Sequence, residues 1–298
     1  MSRYRFVAAE KVSAQTVAPA CAMLGVSRSA YYQWRAQTPS PFHRQDAELR
    51  ARITVIHQES RGTYGVPRVH DQLRRDGVAC GKRRVARLMA EQGLTGRWKR
   101  RSKRTTLADP AVLTMAADLV QRAFTPAGGL NRVWVGDITY LRTWEGWCYL
   151  ATVLDLASRR VVGFAIADHM RTSLITEALR MATMARRPAP GLIFHSDRGS
   201  QYTSREFTQQ LTANGMVQSL SRRHQCWDNA VAESFFATLK TELIYRHAWP
   251  TRTAVRRAVF EFIEVFYNRR RRHSSLGYCS PVDYERATLQ VGKATPAA

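Results

Sequence analysis

Acidic residues are scarce in this chain: 23 Asp and Glu stand against 46 Lys and Arg in 298 residues, a formal net charge of +23. That balance excludes an acidic disordered tail as a main feature and points to a polyanionic partner, with nucleic acid first in line. Cysteine is sparse and unpatterned. Cys21, Cys80, Cys148, Cys226 and Cys279 are odd in number and form no CxxC pair, which excludes a zinc ribbon and a disulfide framework and leaves reduced packing thiols. Long apolar runs are missing too. The longest stretch without a charged residue, 12–27, is broken by Gln15, Pro19 and Gly25 and is shorter than the roughly 20 residues of a membrane span. Glu10 and Lys11 interrupt what would be the apolar core of a signal peptide, so neither export nor a membrane span is expected, and the thiols read as cytosolic.

What is present suffices for folded domains: 45% hydrophobic and 10% aromatic residues over a length typical of about two domains. The positive charge is denser at the start, with 22 basic and 8 acidic residues in 1–110. Residues 17–35 read as a short helix ending at Gly25 and a second helix capped by Ser27, a helix-turn-helix rhythm. Residues 66–92 repeat it, with Pro67 early in one helix, Asp76-Gly77 closing it, and Lys82, Arg83, Arg84 and Arg87 opposite Val85, Leu88 and Met89 in the next. A basic second helix suits a DNA groove or backbone, against the plainer reading of a solvated face. The run Lys99, Arg100, Arg101, Lys103, Arg104 has no apolar periodicity and reads as a solvated linker, followed from Asp109-Pro110 by a helix to about 124. The expected domains are a helical region 1–95, a basic linker and helix 96–126, a catalytic core with a helical extension 127–286, and a flexible tail 287–298.

From Arg132 the period changes. Residues 133–142, 147–156 and 160–167 alternate as three strands of an antiparallel meander. A helix over 172–187, a short strand 191–195, a helix 204–214, a strand 216–220 and a helix 228–245 complete the order βββαβαβα. This is the order of an α/β ribonuclease H-like mixed sheet, with the first strand central, strand 191–197 parallel beside it, and the last helix across the adjoining sheet edge.

Asp137 sits midway along an apolar strand, and burying a lone carboxylate costs several kcal/mol unless it is paired, protonated or metal-bound. Asp197 closes the short strand ahead of a glycine turn, where α/β folds often place catalytic side chains. Glu233 and Lys240 fall together beside the apolar arc of the last helix, and Ala237 leaves room near them. Three hard carboxylates suit a site for two metal ions about 4 Å apart, which activates a water or a 3′-hydroxyl. The triad is therefore expected to cluster and to raise at least one of its own pKa values.

The segments WVGDITYLRTW around Asp137, FHSDRGSQYTS around Asp197 and CWDNAVAESFFATLK around Glu233, with 35 residues between the last two acids, resemble the DDE motif of insertion-sequence transposases of the IS-three group, in their OrfB product. YNRRRRHSSLGYCSPVDYE (267–285) resembles that family's C-terminal signature. The resemblance spans about 44–286 and implies an integrase core that cleaves the ends of its own element and transfers the freed strand to target DNA. It implies Asp137, Asp197 and Glu233 as ligands of two Mg²⁺ ions, with Mn²⁺ as a substitute, and Lys240 as a contact to the element end. It also implies double-stranded DNA as partner, both terminal repeats and target, self-association on DNA, and a frameshift fusion with an upstream-frame product. Gly136 stands where threonine is usual before the first Asp, and His224-Gln225 replaces Gly-Asn before Cys226.

Rival carboxylates are read as structural: Asp228 as a helix N-cap, Asp168 at a strand-end turn, and Asp155 as the main decoy, placed to pair with Arg159 or Arg160. His195 reads as a packing or hydrogen-bonding residue sharing Asp197's face, and Trp227 and Trp249 as core. Arg269, Arg270, Arg271 and Arg272 read as phosphate contacts over a merely solvated helix end. The competing function is a catalytically silent DNA-bound regulator, which would need the helices and the charge but not the acids.

Overall fold

The computed structural model describes residues 3–10, 17–36, 41–97, 129–221 and 230–294. The expected basic linker, Lys99 to Arg104, the helix after Asp109-Pro110, and residues 224–228 lie outside them. The helical region divides into two units. In the first, α1 (Arg3–Glu10), α2 (Ala18–Met23) and α3 (Arg28–Arg35) enclose Val7, Val17, Cys21 and Tyr31, and Ser27 caps α3 by accepting from the Ala30 N–H at 3.1 Å. In the second, α4 (Pro41–Glu59), α5 (Val66–Arg75) and α6 (Lys82–Glu91) close on Leu49, Ile53, Val69, Leu73, Val85 and Leu88. The turn between α5 and α6 falls where Asp76-Gly77 places it, Gly77 taking a left-handed φ of 77°. The long α4 is a finding of the structure: Asp46 is buried among its few inward-facing residues, which blurs the apolar stripe.

The α/β unit holds one five-stranded sheet: β1 (Val133–Thr143), β2 (Gly146–Asp155), β3 (Val161–Ala167), β4 (Ile193–Ser196) and β5 (Val217–Leu220), in the order β3-β2-β1-β4-β5. β1, β2 and β3 form the antiparallel meander, while β1–β4 and β4–β5 are parallel, so the first strand is central as expected. Alternation along β1 sends Trp134 to a core shared with α7 (Thr172–Arg186) and α8 (Arg205–Ala213). Val133, Val135 and Leu141 face the opposite core, with α9 (Ala230–Glu242) and α10 (Arg252–Glu261). The last helix thus covers the face of the sheet over β1, not its edge, because Val231, Phe235 and Leu239 need an apolar surface to bury. It also ends earlier than expected, passing into a 3₁₀ turn over Ile244–Arg246.

After α10 a π-helical turn, Phe262–Tyr267, leads into the arginine-rich stretch and α11 (Pro281–Ala294). This stretch corrects an expectation. Asn268 completes the backbone of edge strand β3, its amide donating to the Val161 carbonyl at 2.9 Å and accepting from the Val161 N–H at 3.0 Å. Arg271 is buried and donates two bonds to the buried Glu242, at 2.8 and 2.7 Å, so it is removed from the DNA-facing set. Arg272 reaches Gln72 at 2.6 Å, and its N–H donates to the Tyr64 hydroxyl at 2.8 Å, tying the second helical unit to the α/β unit. Arg269 and Arg270 stay exposed. On α11 the buried Glu285 accepts from Ser158, Arg160 and Arg186.

Candidate active site

β1 carries Asp137 on the face that α9 covers. Its partly buried carboxylate accepts from the Ile138 N–H through Oδ1 at 2.8 Å. The parallel pairing Val133↔Ile193, Trp134↔Phe194, Val135↔His195 sets β4 beside β1, and Asp197, just past the end of β4, lies within electrostatic reach of Asp137. Asp197 is exposed, and its Oδ1 accepts from the Gly199 N–H at 3.0 Å, the glycine turn fixing the carboxylate. Among the described residues each aspartate therefore commits one oxygen and leaves Oδ2 for a ligand.

Glu233 lies exposed in the first turn of α9. Burial first, then the like charges of Asp197 and Glu233, push the Asp137 carboxyl up to about 7, against the opposing Ile138 N–H and the Lys240 ammonium. Lys240, two turns beyond Glu233, places its Nζ 4.8 Å from the centre of the Tyr140 ring. Burial lowers its pKa, and Asp137 counters that. The three acids thus act on one another electrostatically, and the expected rise in pKa falls on Asp137. Among the described residues no three His, Cys, Asp or Glu side chains converge on a single ion position. The donor set still fits a hard divalent cation: carboxylate oxygens only, two of them held by backbone N–H groups, and a repulsion that a cation would offset.

Sequence reasoning missed the packing behind this site. Tyr202 is buried in the core on the other face of β1, and burial first, then the charges of Asp137 and Asp197, raise its pKa. Phe194 packs beside it, ring centroids 6.3 Å apart. Together they explain Gly136: a Cβ there would stand 2.5 Å from the Phe194 ring and 3.2 Å from Tyr202. The aromatic pair occupies the space that a threonine side chain would need. The only sequence signal was the aromatic in GSQY, three positions after Gly199.

Of the rival acids Asp228 lies outside the described residues, and Asp155 brings a correction. Asp155 is fully buried, but its carboxylate accepts from the N–H groups of Asn131, Ala157 and Ser158 and from the Ser158 hydroxyl, not from Arg159 or Arg160. Asp168 is exposed and stands 3.8 Å from Arg252. His195 is a buried hydrogen-bonding residue, with Nδ1 2.9 Å from the Ser219 hydroxyl and Nε2 3.3 Å from that of Ser221. Trp249 packs against the sheet core.

The basic helix is only half available. Arg84 and Arg87 bind the buried Asp46 of α4 at 2.7 and 2.6 Å and lie over the Phe42 ring. Lys82 and Arg83 are exposed at the start of α6.

The HTH-like domain family matches residues 43–102, and two integrase core domain families match 129–226 and 214–281. The chain is 37% identical over 292 residues to the transposase InsF for insertion sequence IS3A of Escherichia coli (strain K12), covering 96% of this chain and 99% of that one. The chain belongs to this family of insertion-sequence transposases. It is also 40% identical to an IS600 insertion element 31 kDa protein of Shigella sonnei, across 89% of this chain and 96% of the other. Among solved structures it is similar to the BIV integrase catalytic core domain, at 15% identity and a TM-score of 0.41, over 55% of this chain and 99% of that one. The transposase is accordingly an enzyme of the DDE polynucleotidyl transferase type. Among its described residues no helix is long and apolar enough to cross a membrane.

Proposed function

We propose that this transposase cuts DNA at the ends of its insertion sequence and joins the freed 3′-hydroxyl to target DNA, with Asp137, Asp197 and Glu233 holding two Mg²⁺ ions. The observation that supports this most is the loading of Asp137 by the charges of the other two acids, an arrangement costly to the fold by itself and offset by cations. Bound Mg²⁺, or Mn²⁺ in its place, supplies activation of a water or 3′-hydroxyl and stabilisation of the leaving oxygen. The Ile138 and Gly199 N–H groups orient the two aspartates. Lys240 holds a phosphate of the element end, while Lys82, Arg83, Arg269 and Arg270 contact double-stranded DNA, repeats and target alike, through its backbone. Arg84 and Arg87 contribute through the outer side of their pairs with Asp46. Self-association on the DNA, fusion to an upstream-frame product and a place at the nucleoid of the bacterial cytoplasm belong to the same reading. A silent regulator has no use for a strained triad.

The test is a strand-transfer assay on oligonucleotide ends with Mg²⁺. Asp137→Asn, Asp197→Asn and Glu233→Gln should each lower cleavage and joining by more than about a thousandfold while DNA binding persists, since shape is kept and ligand charge is lost. A variant with near-normal joining would overturn the assignment.

A further inference from the structure

The β1–β2 hairpin beside the active site carries three aromatic side chains that the core does not use. Tyr140 is 60% exposed, Trp144 76% and Trp147 45%. Tyr140 and Trp147 lie on one face of the hairpin, diagonal across the register pairs Tyr140↔Tyr149 and Arg142↔Trp147, with their rings edge to face and centroids 5.3 Å apart. The tip that carries Trp144 is held by several bonds. Its N–H donates to the Trp249 carbonyl at 3.0 Å, Glu145 accepts from the Arg252 N–H at 2.7 Å, and the Thr143 hydroxyl donates to the Gly146 carbonyl at 2.7 Å. Gly146 supplies the φ of 110° that this turn requires. A rigid tip that presents a tryptophan to solvent is poorly explained by folding, because burying that ring elsewhere would stabilise the protein.

Cationic groups border the rings. The Lys240 ammonium stands over Tyr140 and within electrostatic reach of Asp137, which alternation puts on the other face of the same strand, so Lys240 links the two faces. Arg142 lies across from Trp147 in the register. Aromatic faces beside cations, on rigid backbone, are the means by which proteins hold unpaired nucleotides: bases stack and phosphates meet the charges.

We propose that Tyr140, Trp144 and Trp147 form a stacking platform for the unpaired bases of a frayed DNA end, placing the scissile phosphate beside Asp137 with Lys240 on the neighbouring phosphate. This rests on the assignment of the acids as the active site, and it adds a class of ligand: a short single strand at a duplex terminus. Unpairing is what lets a strand enter a cleft narrower than a duplex, and the platform offsets its cost.

The experiment uses the full chain in EDTA, so that no chemistry is needed, with a duplex whose last three nucleotides are mismatched and carry 2-aminopurine. Stacking should quench the probe on binding. Trp144→Ala and Trp147→Ala should abolish the quench and weaken binding of the frayed duplex about tenfold or more relative to the paired one, whereas Tyr140→Phe, which keeps the ring, should retain both. Unchanged melting of the two tryptophan variants, expected from their exposure, confirms that they fold. An unaltered quench in both would overturn the platform. So would a change confined to sedimentation, which would make the aromatic face a contact between protein copies. Failure of the acids is separable: if Asp137→Asn transfers strands normally but the quench depends on Trp144, the platform stands and the catalytic assignment falls.

Discussion

Asp137 and Asp155 occupy adjacent strands of one sheet, yet they meet opposite fates. Asp155 is fully buried and receives three backbone N–H groups and a hydroxyl, so its charge is matched by fixed dipoles. Asp137 receives one N–H, and burial first, then the charges of two other acids, push its carboxyl up to about 7. The same division separates Arg271, buried on Glu242, from Arg269 and Arg270 in the open. Charge answered within the chain builds structure here, and charge left unanswered marks where a cation or a phosphate belongs.

The comparison breaks most visibly at the answered charges. Glu242→Gln leaves the buried Arg271 guanidinium without its carboxylate, and urea unfolding should record a loss of roughly 3–5 kcal/mol. Asp155→Ala should cost about 2–3 kcal/mol in the same measurement, because at least one buried N–H loses its acceptor in the turn before β3. Stability unaffected by both changes would mean that solvent reaches these groups and that the distinction is false.

At the unanswered charge the sign reverses. Asp137 carries a folded-state pKa of about 7 against an ordinary 3.8, so between those values the native protein holds a proton that the unfolded chain has released. Its contribution to stability therefore falls as pH rises through that window, and the full penalty applies above 7. Asp137→Asn should thus stabilise the metal-free protein by about 1–2 kcal/mol at pH 8, less than the full shift implies because the carboxyl is partly solvated, and by almost nothing at pH 4. Melting curves at the two pH values check this; destabilisation at pH 8 would place Asp137 with Asp155. The smallest effect on folding belongs to Lys82→Ala and Arg83→Ala. Each should leave stability within about 0.5 kcal/mol and lower the slope of log affinity for DNA against log salt by about 1. Arg84→Ala, which also breaks the Asp46 pair, should differ from both by destabilising the second helical unit.

Local pattern carried much of this. The strand order, the α5 and α6 boundaries and the Ser27 cap were legible because period-2 and period-3.6 alternation and turn residues act over a few positions. Asp137 stood out because an acid in the middle of an apolar strand violates that alternation. α4 escaped because its buried Asp46 interrupts the stripe it would otherwise show. The arginines of 269–272 were indistinguishable in sequence, since four adjacent cations carry no local sign of which one meets Glu242, 29 positions earlier.

The amino-acid sequence by itself determined the order of elements, the excess of positive charge and the placing of an acid midway along an apolar strand, all properties of composition and short-range period. Only the tertiary structure decided which charges were answered: that Asp155 is capped by its own turn, that Arg84 and Arg87 close on Asp46, and that Phe194 and Tyr202 fill the space above Gly136. Apart from Ala157 and Ser158, the partners in those outcomes are brought together across tens of residues. Coulomb and steric terms act through distance in space, which short-range periodicity does not encode.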